Sequence, residues 1–149
     1  MGRYEQFQDY RSKMNCRILG DDAQRERIAG RAAPGATLVT RRFFGLDTKT
    51  YEDGALSAKT KELLGLVASM VLRCDDCIAY HIDQCVRVGV TDEELWECFD
   101  VALIVGGSIV IPHLRRGVEF LDACRNAGPA TDPATGPCPG HTGATPPIS

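Results

Sequence analysis

LLGLVASMVLRCDDCIAYHIDQCVRVGVTDEEL, residues 63–95, decides the class of the fold. Leu63, Leu64, Leu66, Val67, Met70 and Val71 recur at i, i+1, i+3, i+4, i+7 and i+8, the spacing of one helix face. A well-buried helix is therefore predicted from Ser57, a suitable N-cap, to about Val71. A second is predicted over about 75–88, ending at Gly89. A third opens at TDEE, where Thr91 and Glu94 stand at the spacing of a capping box, and Leu95, Trp96, Phe99, Ala102 and Leu103 form its apolar face. Nothing alternates with period two for long, so the chain reads as all-α.

Outward from this stretch the same period continues. Tyr4, Phe7, Tyr10, Met14 and Ile18 predict an amphipathic N-terminal helix. Residues 20–36 are polar and end in AAPGAT, read as a break. A helical pattern over about 37–51 carries Leu38, Phe43, Phe44 and Leu46, and Gly54 ends it. Gly106-Gly107 and Pro112 mark either a close helix approach or a break before a last helix to about Cys124. The 149 residues, 44% of them hydrophobic, suffice for one core, and a single helical domain is expected over 1–125. Residues 126–149 hold six of the eight prolines, too few apolar residues for a core, and are expected to be a disordered tail. Its Cys138 and His141 supply only two possible metal ligands, a poor site in a flexible segment.

Net charge is −3 and no Lys/Arg cluster follows a helix face, which argues against nucleic acid or an anionic membrane as partner. The first 15 residues lack the apolar stretch of a signal peptide and no run approaches bilayer length, so a cytoplasmic location is expected. Seven cysteines are an odd number for a disulfide framework and many for a reducing compartment, so a pair that forms is expected to be catalytic rather than structural.

RCDDCIAYH, residues 73–81, concentrates that question. At about 100° per residue, Cys74, Cys77, Ile78, His81, Cys85 and Val88 gather on one side of a helix, facing the protein, and Asp75, Asp76, Asp83 and Arg87 lie elsewhere. Buried small side chains explain that stripe without any chemistry, since free cysteine is among the most buried residue types. A redox pair explains it too. Residues three apart on a helix have Cα atoms roughly 5 to 6 Å apart, within the disulfide window. The first turn, at the positive end of the helix dipole, favours a thiolate. His81, one turn beyond Cys77, is placed to take or return a proton. Zinc fits less well, because Cys74 and Cys85 stand roughly 16 Å apart along one helix, too far to share an ion. A three-ligand site of Cys74, Cys77 and His81 needs another element to complete it. Glu62, at the border of the preceding helix's apolar stripe, is either a carboxylate dipping towards the site or an exposed glutamate.

Glu62, Cys74, Cys77 and His81 at these spacings, followed by GVTDEEL, resemble the alkylhydroperoxidase D-like branch of the carboxymuconolactone decarboxylase family. The likeness is strongest over about 54–122 and includes RRFFGLDTKTYEDGALSAKTKELLGLVASMVLRCDDC, residues 41–77. It implies an alkylhydroperoxidase D-like bundle of about six helices, intertwined in a homo-oligomer, a trimer or hexamer. It also implies roles: Cys77 attacks peroxide and becomes a sulfenic acid, Cys74 donates a proton and then closes the disulfide, and Glu62 and His81 relay protons. Two departures matter. Peroxidase members carry a histidine inside the CxxC where this chain has Asp75 and Asp76, and an acidic neighbour disfavours a thiolate. The family's decarboxylases lack the cysteine pair, so its presence argues against lactone decarboxylation.

The leading expectation is a thiol enzyme of antioxidant type that cycles a Cys74–Cys77 dithiol and disulfide while reducing hydroperoxides or a partner's disulfide. No metal, flavin or nicotinamide fingerprint is visible, so no cofactor is expected and electrons must come from another thiol carrier, with lipoyl or thioredoxin-like proteins implied by the resemblance. A second reading is a decarboxylase-like lyase or isomerase using Glu62 and His81 as base and acid. A third is a non-catalytic redox-sensing oligomer. Cys85, Cys98, Cys124, Trp96 and Phe99 are expected in the core, and His113, in IPHLRR, is either an ordinary helix-terminus histidine or a residue at an interface or site mouth.

Overall fold

The computed structural model describes residues 1–128. Their regular structure is all helical, with no strand among them, in the order α1 (Arg3–Leu19), α2 (Asp22–Ala29), α3 (Leu38–Thr50), α4 (Ala58–Val71), α5 (Asp75–Arg87), α6 (Asp92–Gly106), a 3-10 turn (Ser108–Val110) and α7 (Ile111–Ala127). They form two compact units, Met1–Asp47 and the residues from Thr48 on, and the single domain expected over 1–125 spans both. The expected tail, with Cys138 and His141, lies outside the described residues, except that α7 continues through Asn126 and Ala127.

In the first unit, α1 and α2 pack together. The polar stretch read as a break contains α2, and its start was legible: Asp21 accepts from the Gln24 amide nitrogen while the Gln24 side chain accepts from Asp21 N, a reciprocal capping box. Gly30, in the left-handed region at φ 72°, closes the helix. The segment that follows is held by Ala36 N donating to Ile18 O (3.0 Å) and Arg17 Nη1 to Pro34 O (3.0 Å). Arg25 Nε also donates to Ala33 O (3.1 Å). The helix expected over about 37–51 is α3, and its Leu38, Val39, Phe43 and Leu46 are exposed.

The second unit holds the larger core. α4 packs on α5 and α6, and α5 on α7. Leu66, Met70, Ile78, Ile82, Cys85, Leu95, Phe99, Val110 and Phe120 are fully buried. At Gly117 a Cβ would come within 3.3 Å of Ile78 Cγ2 and 3.4 Å of Ile82 Cδ1, so α7 lies close against α5. Ser57 caps α4 by accepting from Thr60 N (3.1 Å), and Thr91 and Glu94 form the expected capping box of α6. Two expected faces turn out differently. Asp83 is 2% exposed and pairs with Arg87 (3.0 Å), because α5 is covered by α4 on one side and α7 on another and little of its circumference stays open. Trp96 is about half exposed, its ring edge-on to the buried Phe99 with centroids 5.5 Å apart, so only Phe99 belongs to the core. Leu64 is likewise exposed.

Candidate active site

The site begins with the way α4 ends. Leu72 is the last helix-like residue, Arg73 N donates to Met70 O (3.0 Å) and Cys74 N to Ser69 O (3.1 Å), the paired bonds of a Schellman motif. Arg73 takes the left-handed position at φ 60°, where glycine is usual. The residue that completes this motif, Cys74, is also the N-cap of α5, its sulfur 3.4 Å from the Cys77 amide nitrogen that donates to it. One turn therefore ends one helix and starts the next with no intervening loop, and the first cysteine is held by backbone bonds on both sides.

Cys74 and Cys77 are joined as a disulfide, with Cα atoms 5.2 Å apart, inside the 5 to 6 Å that the helical spacing predicted. The pair does not face inward as the helical stripe suggested. Cys77 is exposed and Cys74 half-buried: in the first turn of α5 it is Asp75, not Cys77, that meets α7. Further along, Ile78, His81 and Cys85 are buried as expected, and Ile82 with them, whereas Val88 at the helix end is exposed.

Glu62, Leu66, Ser69 and Met70 share the buried face of α4, and Glu62 is only 3% exposed. The open choice at this residue is thus decided by packing. An isolated buried carboxylate would be costly, and Glu62 is instead hydrogen-bonded: its Oε2 lies 2.8 Å from Nδ1 of His81, itself 7% exposed. With the carboxylate accepting from Nδ1–H, Nε2 is left as the nitrogen that exchanges a proton. Gly65, which carried no signal of its own, makes this contact possible. A Cβ there would overlap the His81 ring and stand 2.8 Å from both ring nitrogens, so the imidazole lies directly on the α4 backbone. Tyr51 and Tyr80 flank the ring, with centroids 5.3 and 5.1 Å from it.

A second cluster sits at the disulfide. Asp75, between the two cysteines, places Oδ1 2.7 Å from His113 Nδ1 and Oδ2 2.8 Å from Arg116 Nε, both residues belonging to α7. Burial pushes the Asp75 carboxyl up, but hydrogen bonds from His113 and Arg116, with their charge, outweigh it and hold the group below the usual carboxylate value. Neither partner was singled out with Asp75 from the sequence, although IPHLRR did mark His113. The other thiols are inert by burial: Cys98 is pushed up to about 11, Cys124 up to about 12, and Cys85 higher still, by burial first and then the charge of Glu62. Among the described residues, no group of three or more His, Cys, Asp or Glu is placed to share a metal ion, and no helix is long and apolar enough to cross a membrane.

Comparison with known proteins bears on the same region. A model of the carboxymuconolactone decarboxylase family matches residues 37–119. A crystal structure of a Thermotoga maritima protein of that family, described with a suggested role in the antioxidative response, superposes with a TM-score of 0.60 at 62% identity, over 62% of this chain and 95% of that one. The apo structure of a Legionella pneumophila member, at 21% identity, shares the fold with a TM-score of 0.63 over 82% of this chain and 96% of that one. An uncharacterised protein of Cupriavidus necator is 30% identical over 94 residues, covering 63% of this chain and 80% of the relative.

Proposed function

Because this chain belongs to the carboxymuconolactone decarboxylase family, and carries a disulfide in the first turn of α5 beside a buried Glu62–His81 pair, we propose that it is a thiol peroxidase or disulfide reductase of antioxidant type. The observation that carries the reading is the Cys74–Cys77 bond itself, at a helix start and with Cys77 exposed to an incoming substrate. In the reduced protein, the Cys77 thiolate attacks the terminal oxygen of a hydroperoxide. The O–O bond breaks, Cys77 becomes a sulfenic acid, and the leaving alkoxide takes a proton to depart as an alcohol. Cys74 then attacks the sulfenic sulfur, water leaves, and the disulfide forms, preventing overoxidation. His81, oriented by Glu62, exchanges the protons through Nε2. Two electrons from an external dithiol, a lipoyl or thioredoxin-like protein, reopen the disulfide. The active form is a homo-oligomer, and its location is cytoplasmic.

The reading is tested by anaerobic thiol titration of the reduced protein before and after one equivalent of cumene hydroperoxide, with mass mapping of the linked peptides. Two thiols should disappear, in a bridge between Cys74 and Cys77 alone, and added dithiol should support many turnovers. Reversible oxidation without turnover would point instead to a redox sensor. The buried Glu62–His81 pair also suits an acid–base lyase. A lyase would keep its turnover in a Cys74→Ser/Cys77→Ser double variant, whereas the peroxidase loses it.

A further inference from the structure

Asp75 is an awkward residue to find between two redox cysteines. A carboxylate in that position repels a thiolate one or two residues away, and at about 6 Å the repulsion is on the order of one to two pKa units, from nearly bulk-water to near-surface screening. The charged and titratable groups of the neighbourhood are Arg73, Asp75 and Asp76 in the turn, Glu62 and His81 along the α4–α5 contact, and His113 and Arg116 from α7. Only the last two touch Asp75 in the described contacts, one on each carboxylate oxygen, and Arg116 Nη2 also lies 3.0 Å from His113 Nδ1. Their placement follows from the packing of α5 on α7. Gly117 sits against Ile78, and one turn back along each helix His113 meets Asp75.

Resting on the thiol-redox reading above, we propose that Arg116 and His113 are positioning residues for the CxxC turn: they take up the negative charge of Asp75, so that it does not oppose the Cys77 thiolate, and they tie the turn to α7. Of the two acidic residues inside the CxxC, the one that meets α7 is thereby neutralised from another helix. Asp75 keeps its favourable place at a helix start without its electrostatic penalty on the neighbouring sulfur.

The test is a double-mutant cycle on the reduced full-length protein, reading the Cys77 pKa from the pH dependence of iodoacetamide alkylation, resolved by peptide. Arg116→Ala should raise that pKa by roughly one unit and slow alkylation at neutral pH about tenfold, and Arg116→Lys should recover most of the loss. In an Asp75→Asn background, Arg116→Ala should produce no further rise. A Cys77 titration unmoved by Arg116→Ala, or moved equally in both backgrounds, overturns the proposal. Should Arg116→Ala fail to fold, His113→Gln and Asp75→Asn supply the same cycle. Absence of peroxide turnover in the unaltered protein would refute the catalytic reading alone, because the alkylation cycle reports on the cluster whether or not the protein turns over.

Discussion

Gly65 illustrates how one missing side chain lets the Glu62–His81 pair of the proposed relay form. Alanine at a helix interior is worth about 1 kcal/mol over glycine, so on propensity Gly65→Ala would stabilise α4. Against that, its methyl group would overlap the His81 ring, and overpacking of this kind costs about 1 to 3 kcal/mol. The clash wins because the ring is buried between α4, Tyr51 and Tyr80. We expect Gly65→Ala to lower stability by about 1 kcal/mol in urea titration and, by displacing the imidazole from Glu62, to reduce peroxide turnover at least tenfold. An unchanged midpoint with full turnover would contradict the arrangement of these three residues. The 3.6-residue period makes His81 legible on the inner stripe of its helix, whereas Glu62, at the border of the preceding stripe, stays open until packing buries it. The period is blind to Gly65, since a glycine inside a helical pattern has no period to belong to.

At the scale of elements, the junction between α4 and α5 is the economical feature, a Schellman motif whose last residue is the next helix's N-cap. Its left-handed residue is Arg73, and a side chain in that region costs roughly 1 kcal/mol relative to glycine. Arg73→Gly should therefore raise the unfolding free energy by about 1 kcal/mol, and Arg73→Val should lower it, as a β-branched residue suits φ 60° least. Equal midpoints for the two variants would show that the turn is not held as described. Helix starts with side-chain caps, at Ser57 and Thr91, were readable because a cap is a contact within three residues. The Asp21–Gln24 box carries the same signal, but it lies in a stretch whose polarity suggests a loop. Which faces were covered was less legible: Asp83 is buried and Trp96 half exposed because those outcomes depend on neighbouring helices, not on α5 or α6 alone.

Across the molecule, the buried thiols set an alkaline limit. Cys98 and Cys124 ionise near 9.0 when unfolded and at about 11 and about 12 when folded, each held up by burial. A folded pKa above the unfolded one means that the unfolded chain loses its proton first. Stability is thus intact below pH 9 and is lost as pH rises towards the folded values, at about 1.4 kcal/mol per thiol for each pH unit. Urea midpoints should be level up to about pH 9 and fall above it, and peptides bearing Cys85, Cys98 and Cys124 should stay unlabelled by iodoacetamide at pH 8 until the protein unfolds. Labelling of these three in the folded state would mean that the second unit opens locally. The proposed oligomer has its own test in α6, where Val101, Ile104 and Val105 are exposed, with Ile109 just beyond the helix. Sedimentation velocity should give a single oligomeric species, and Ile104→Glu should dissociate it while leaving helicity unchanged. A monomer before the substitution would remove that part of the proposal.

The sequence by itself determined the all-helical class, most of the helix boundaries and the closeness of Cys74 to Cys77. These rest on interactions within about four residues, which periodicity and capping record directly. Only the tertiary structure decided that Glu62 meets His81 across 19 residues and that Asp75 meets His113 across 38. It also decided that Cys77 opens to the surface while Asp83 does not. Such outcomes follow from which helix faces pack together and how closely, and glycines such as Gly65 and Gly117 set that closeness without leaving a pattern in the chain.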